Sequence, residues 1–227
     1  MTNILLVNDN IKDYNIIVKA CNENSYAITY NQNTDTYDSI LKKYELLLQE
    51  ESDKISSINH LALVTHGVLD NYFTFLEEEN KLLLDKNYKN IINDNKEILY
   101  YNNLETWNDF IKFIEKFKIK KSLDFLGCAL LKYDYTNWKY IFLELEKILN
   151  LNVRASDDNT GNLKSGGDWI LESDNVNIKE LYFNKETIEY WNYTLNNITP
   201  TLGRISDAPM YKIVKGYTNN RLYTDPS

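Results

Sequence analysis

The chain is poor in cysteine and lacks long apolar runs, and each shortage excludes a class of protein. Its 227 residues include two cysteines, Cys21 and Cys128, which excludes a disulfide framework and a cysteine-rich zinc site. No run of about 18 apolar residues could cross a bilayer, and no basic leader with an apolar stretch precedes the first strand. We therefore expect a soluble protein without membrane insertion or a conventional export signal, either cytoplasmic or exported by a signal outside this chain.

Positive charge is also scarce. The 25 basic side chains face 33 acidic ones, so the formal net charge is -8. Nucleic-acid binding requires clustered lysine and arginine, and this balance argues against a nucleic-acid partner. A basic partner or substrate fits better. Hydrophobic residues make up 43% of the chain, which is enough for one full domain with a buried core.

Short apolar runs alternate with amphipathic helical stripes along most of the chain. This alternation predicts an α/β domain over residues 1–195, with a mostly parallel sheet and helices on both faces. The strands are predicted at residues 3–7, 25–30, 61–65 and 152–155, with a further strand leading to Cys128. The helices are predicted at residues 11–21, 37–51, 104–117 and 138–149, and Cys21 is expected to be a buried filler.

The remaining segments are less regular. Thr34 and Asp35 are candidate caps of the second helix, and residues 72–84 are compatible with a hairpin. A late strand is predicted at residues 168–172 and a final short helix at residues 184–193. Residues 196–227, which hold all three prolines, are predicted to be a tail or the start of a linker.

Two predicted strands end at a reactive side chain beside a glycine. One delivers His66 and Gly67, and the next along the chain delivers Gly127 and Cys128. The carboxyl ends of parallel strands meet at one edge of a sheet, where ligands bind, so these side chains are expected to face one another. An imidazole beside a thiol favours the thiolate, and a glycine lets backbone N–H groups approach a developing oxyanion. The pattern predicts a cysteine nucleophile with its base, while His60 is predicted to be a surface or capping residue.

The loop after the strand at residues 152–155 carries Asp157 and Asp158, and three interpretations of it remain open. The two aspartates are turn residues that bond to nearby backbone N–H groups, or they line an acidic pocket with Asp9 that would favour a cationic substrate side chain. A calcium site is the third, because calcium requires several oxygen ligands. We otherwise expect no cofactor and no metal.

These motifs occur in an order that resembles a known family. After His66-Gly67 and Gly127-Cys128 come residues 155–162 (Ala-Ser-Asp-Asp-Asn-Thr-Gly-Asn) and 166–172 (Gly-Gly-Asp-Trp-Ile-Leu-Glu). The order resembles domain-of-unknown-function family 4347, an N-terminal module of large bacterial surface and repeat proteins. That module is similar in turn to the caspase-like (clan CD) cysteine peptidases. The resemblance implies a caspase-like three-layer sandwich, a dyad of His66 and Cys128, and an oxyanion hole from the backbone N–H groups of Gly67 and Cys128.

The function that follows is a caspase-like cysteine endopeptidase, a hydrolase that prefers a basic residue before the cleaved bond. Its partner would be a peptide or protein substrate, with its own chain as one candidate through the basic residues of the tail: Arg204, Lys212, Lys215 and Arg221. The alternative is a catalytically inactive module with a structural or interaction role in a larger surface protein. Many caspase-like enzymes carry an acidic or polar residue where Gly127 stands here, and this departure bears on activity more than on fold.

Overall fold

The central sheet of the domain is parallel throughout. The computed structural model describes residues 2–67, 75–76, 104–132 and 138–196. Within this part, five strands pair in the order β2-β1-β3-β4-β5, and every pairing is parallel. The strands are β1 (Thr2–Asn8), β2 (Ser25–Tyr30), β3 (Ile58–Val64), β4 (Ser122–Leu126) and β5 (Asn152–Ala155).

Both faces of the sheet are covered, as the alternation of strands and helices predicts. Three helices pack on one face: α2 (Tyr37–Glu50), α3 (Leu104–Glu115) and α4 (Trp138–Leu149). The other face is covered by α1 (Tyr14–Lys19) and by the chain that follows β5. All seven residues of β1 are buried, as expected of a strand between two layers. The predicted α/β three-layer sandwich is confirmed.

The strand order reverses direction once. The chain steps from β1 to β2 on one side and then returns to place β3 on the other side of β1. Such a switch point opens a crevice between the carboxyl ends of the two strands concerned, where open α/β sheets bind ligands. The segment that follows β3, with His66, therefore lies at the switch point.

The region after β5 differs most from the sequence prediction. Instead of one strand over residues 168–172, a short antiparallel pair forms from β6 (Ile170–Leu171) and β7 (Val176–Asn177). A five-residue helix that was not predicted, α5 (Ile178–Tyr182), follows directly. The predicted helix at residues 184–193 is wrong, because only a 3-10 turn forms there, at Ile188–Tyr190. The Asn184 side chain bonds the N–H groups of Glu186 and Thr187, which holds the backbone in a turn.

Several smaller predictions are corrected or lie beyond the described residues. The N-cap of α2 is Thr36, which forms a capping box with Ser39, and not Thr34 or Asp35. Cys21 is half-buried, in an isolated bridge with Phe183. The hairpin at residues 72–84 falls outside the described residues except at 75–76. The described residues belong to one compact unit, Met1–Asn197, and the tail stays a prediction.

Among the helices that the structure describes, none combines the length and the apolar character needed to span a membrane.

Candidate active site

His66 and Cys128 follow neighbouring strands at the same edge of the sheet. Strands β3 and β4 pair in parallel with Val64 opposite Leu126, and each candidate side chain lies two residues beyond that pair. Residues two apart on a strand point to the same face, so Cys128 joins the apolar cluster that contains Val64 and Leu126. Cys128 is 4% exposed and His66 is half-buried. The predicted meeting of the two strand ends is therefore present.

Gly67 holds the two strand ends in direct backbone contact. A Cβ atom at this position would lie 2.2 Å from the carbonyl oxygen of Cys128 and 2.6 Å from its nitrogen. Because both atoms belong to the backbone, no side-chain movement could relieve the overlap. The glycine after His66 is thus required by the close packing of this backbone against Cys128.

The residue after the candidate nucleophile has a strained backbone. Ala129 adopts a φ of 58°, in the left-handed region, which costs a non-glycine residue about 1–2 kcal/mol. Its N–H donates to the Asp158 carbonyl at 2.6 Å, so the loop after β5 holds the turn in place. Such strain concentrates at functional sites, since the surrounding structure must over-determine it.

The two predicted oxyanion donors, the N–H groups of Gly67 and Cys128, differ in their hydrogen bonding. The N–H of Gly67 donates to the carbonyl oxygen of Leu195 at 2.9 Å. The N–H of Cys128 has no hydrogen-bond acceptor among the residues that the structure describes. One donor is therefore occupied by the Leu195 carbonyl, while the other has no acceptor within the described part of the chain.

The Cys128 thiol is protonated in this conformation. Burial raises its pKa to about 12, and the backbone groups of Thr160 and Leu195 only partly oppose this shift. The nearby carboxylate of Asp158 raises the pKa further. The Sγ atom lies 3.6 Å from the carbonyl oxygen of Thr160, to which the thiol donates a weak hydrogen bond.

The His66 ring is neutral in the same conformation. Burial lowers its pKa, and the neighbouring backbone groups of Leu195 and Asn10 oppose that shift. Its Nδ1 atom is buried and has no partner in hydrogen-bond geometry among the described residues. In this conformation neither the ring nor the thiol is charged, and a cysteine acts as a nucleophile only as the thiolate.

The predicted acidic residues of the pocket lie in two separate places. The carboxylates of Asp157, Asp158 and Glu172 lie within 4.8 Å of one another, a donor set with the oxygen chemistry that calcium prefers. Burial, followed by the charges of its acidic neighbours, raises the pKa of Asp158. Asp9 instead follows β1, three strand intervals or about 14 Å from β5. Its carboxylate accepts a hydrogen bond from Asn31 at 3.0 Å, so the structure does not bring Asp9 to the other two predicted pocket residues.

The other histidine lies at the opposite edge, in a polar network that the sequence did not indicate. The Nδ1 atom of His60 lies 2.6 Å from the Ser122 hydroxyl and 3.0 Å from a guanidinium nitrogen of Arg154. Arg154 forms an ion pair with Asp124, which is fully buried in β4. Tyr182 of α5 donates to the same carboxylate at 2.5 Å.

Sequence reasoning also missed the chain segment that contacts the candidate pair. Residues 193–196, which we call the edge segment, pass between His66-Gly67 and Thr160-Gly161. These four residues, Tyr-Thr-Leu-Asn, lie at the end of the predicted last helix and just after it, and their partners are distant in sequence. Only the folded chain reveals the contact.

The fold and the site together define the class of protein. It is a parallel three-layer α/β sandwich in which a histidine and a cysteine are buried near one another at adjoining strand ends. The sequence profile of the family described as "Domain of unknown function (DUF4347)" matches residues 4–195, and the chain belongs to this family. No curated protein and no solved structure matches the chain.

Proposed function

We propose that this domain is a caspase-like cysteine peptidase with Cys128 as nucleophile and His66 as base. The observation that carries the proposal is the backbone contact between Gly67 and Cys128 at the carboxyl ends of two neighbouring parallel strands. The strained turn at Ala129 supports it further, as does the N–H of Cys128, which has no acceptor among the residues the structure describes. A catalytic cysteine needs a base, an oxyanion donor and a fixed backbone. The contact and the turn fix the backbone, the Cys128 N–H is the donor, and His66 is the proposed base.

The reaction would proceed by acyl transfer. His66 takes the proton from Cys128, and the thiolate attacks the carbonyl carbon of a peptide bond. As the carbon–nitrogen bond breaks, the imidazolium returns its proton to the leaving amine. His66 then activates water, which releases the acyl group from the sulfur. The N–H of Cys128 would stabilise the oxyanion, joined by that of Gly67 once Leu195 no longer occupies it.

The substrate would be a peptide or protein with a basic residue near the cleaved bond. The carboxylates of Asp157 and Asp158 follow the strand beside Cys128, and the chain carries a net charge of -8. Both favour a cationic partner. The basic residues of the predicted tail make the protein's own chain one candidate substrate.

A non-catalytic module in a larger surface protein is the second candidate function. The specific observation in its favour is the burial of the Cys128 thiol, which is 4% exposed. Burial raises its pKa to about 12 and so disfavours the thiolate that nucleophilic attack requires. A fold can persist after its chemistry is lost, so the arrangement of strands does not decide between the two functions.

Hydrolysis of fluorogenic peptides distinguishes the two. Peptides with arginine or leucine before the scissile bond are incubated with the wild type and with Cys128→Ala, His66→Ala and Cys21→Ala, with and without calcium. We expect hydrolysis to be abolished by Cys128→Ala, reduced about 100-fold or more by His66→Ala, and unaffected by Cys21→Ala. Equal signal with and without Cys128→Ala, both in the wild-type chain and in Leu195→Ala, where the Leu195 contact with the site is weakened, would overturn the peptidase proposal.

A further inference from the structure

The edge segment, residues 193–196, is bound as a strand on both of its backbone edges. It forms an antiparallel bridge between Thr194 and Gly161 and a parallel bridge between Asn196 and Gly67. The Leu195 N–H donates to the Thr160 carbonyl at 2.8 Å, and the Asn162 N–H donates to the Tyr193 carbonyl at 2.9 Å. The segment therefore enters the candidate site in the extended form in which a peptide adds to a sheet edge.

Leu195 is the residue of this segment that meets the candidate catalytic groups. Its backbone lies against both the His66 ring and the Cys128 thiol, and its carbonyl oxygen accepts the Gly67 N–H at 2.9 Å. That N–H is one of the two predicted oxyanion donors, so the Leu195 carbonyl takes the place of a substrate carbonyl. The Leu195 side chain is fully buried in the cluster that contains Cys128.

The opposite wall of the site is shaped for this backbone. Gly161 has a φ of 145°, and a Cβ atom there would lie 2.6 Å from Cα of Thr194 and 2.6 Å from the carbonyl oxygen of Tyr193. Gly161 thus lets the edge segment approach the loop after β5 closely. Gly166, in the same loop, also has a positive φ of 81°, but a Cβ atom there would meet nothing within 4 Å.

We propose that the edge segment is a built-in peptide ligand of the active site, which holds the domain latent and identifies its substrates as extended peptides with an aliphatic residue at the Leu195 position. This inference rests on the proposed function. It explains why the thiol and the imidazole are buried and at rest although the strand ends are correctly placed. Activation then requires that the segment leave the site, which frees the Gly67 N–H and exposes Cys128.

Alkylation of Cys128 by iodoacetamide, followed by mass spectrometry in the full chain with Cys21→Ser, tests the proposal. Leu195→Ala and Gly161→Ala should weaken the contacts that hold the edge segment in the site, and both leave the candidate catalytic residues unchanged. Two matched controls leave the segment in place: Leu171→Ala removes another fully buried leucine of the same cluster, and Gly166→Ala alters the open glycine. We expect Cys128 to be alkylated about tenfold or more faster in Leu195→Ala and Gly161→Ala than in the two controls. Loss of a buried leucine side chain destabilises the conformation in which the edge segment occupies the site.

A peptide added in trans provides the second measurement. The synthetic peptide Asn-Tyr-Thr-Leu-Asn-Asn, the sequence of residues 192–197, should restore slow alkylation in Leu195→Ala, whereas the same peptide with aspartate for leucine should not. Near-UV circular dichroism establishes that each variant is folded. Equal alkylation rates in the variants and their controls, or no effect of the leucine peptide, would overturn the inference.

Peptide hydrolysis by the same variants separates this inference from the proposed function. Faster alkylation with peptide protection but no hydrolysis would retain the built-in ligand and remove the peptidase. Hydrolysis by the wild type at the rate of Leu195→Ala would retain the peptidase and remove the latency. Hydrolysis that appears only in Leu195→Ala and Gly161→Ala would support both the peptidase and the latency. A preference for leucine over arginine before the scissile bond would support the aliphatic specificity and replace the basic preference proposed above.

Discussion

Gly67 is the residue at which the candidate site should tolerate substitution least. In Gly67→Ala the new methyl group would overlap the Cys128 backbone at 2.2 Å, and the two strand ends would have to separate. We expect a loss of about 3 kcal/mol or more in the free energy of unfolding, at the upper end for overpacking. Urea denaturation measures it.

Gly127→Ala is the matched control, because its Cβ atom would have its nearest neighbours at 3.4 Å or beyond. This variant should lose less than about 1 kcal/mol, since contacts at that distance are ordinary. Equal losses in the two variants would mean that the close approach of the strand ends is not what fixes the glycine after His66.

His60 should make the stability of the domain depend on pH. Burial, then the charges of Arg154 and Lys121, lowers the pKa of His60 to about 4. The unfolded chain then binds a proton more readily than the folded one between pH 6.5 and 4, so the stability contribution is present above about pH 6.5 and is lost as the pH falls. His60→Gln should flatten this part of the stability curve.

Urea denaturation of the wild type and His60→Gln at pH 7 and pH 4.5 measures the effect. The pKa of His66 is also lowered, so His66 contributes in the same direction, but it is present in both proteins and leaves the difference to His60. Parallel losses of stability in the two proteins would show that the buried network does not hold His60 neutral.

At the scale of elements, a buried ion pair between Asp124 and Arg154 joins β4 to β5, and a hydrogen bond from Tyr182 attaches α5 to the same carboxylate. Asp124→Ala would leave Arg154 without its carboxylate, and we expect a loss of about 3–5 kcal/mol in the free energy of unfolding. Tyr182→Phe removes one hydrogen bond to the same carboxylate and should cost about 1.5–3 kcal/mol. Urea denaturation of the two variants measures both losses of stability.

Tyr26→Phe is the control for Tyr182→Phe. The Tyr26 hydroxyl makes only a long, 3.4 Å bond to Glu51, in a partly exposed position, so its loss should be nearly neutral. If Tyr182→Phe were equally neutral, α5 would be attached to the sheet by its apolar side chains alone.

The sequence predicts best those helices and strands that are long enough to show a full repeat of apolar residues. Helix α4 and strands β2 and β5 have the predicted bounds, because twelve, six and four residues are enough to display a stripe or an apolar run. Helix α5 has five residues, and its helical form depends on the Asn177 cap and on burial of Ile178 and Tyr182. Such an element has no periodicity to detect.

The sequence likewise predicts some residues of the candidate site and misses others. His66, Gly67 and Cys128 are found from the sequence because each marks the end of an apolar strand, and parallel strands place such ends at one edge. Leu195 and Thr160 are not, because a backbone bridge between distant segments leaves no pattern in their side chains. The sequence groups Asp9 with Asp157 and Asp158 because all three follow strands, but strand order, which the sequence does not specify, separates Asp9 from the other two.

At the scale of the whole molecule, the edge segment is the one feature that links the fold to its proposed regulation. One face of the sheet is covered by α2, α3 and α4, and the described residues of their apolar cluster do not include this segment. On the other face the segment contributes one fully buried side chain, Leu195, to a cluster that also includes Trp191 and Tyr182. The central strands should therefore stay folded when the segment leaves, because their main contacts are elsewhere.

Native-state hydrogen exchange tests this independence. The Gly67 N–H is bonded to the edge segment, whereas the Leu63 N–H belongs to a strand with a neighbour on each side. We expect Gly67 to exchange about tenfold or more faster than Leu63 through a local opening, with little dependence on low concentrations of denaturant. Leu195→Ala should accelerate exchange at Gly67 and leave Leu63 relatively protected. If both amides exchanged with the same free energy and the same dependence on denaturant, the segment would be released only by global unfolding, and a latent site that opens on its own would not exist.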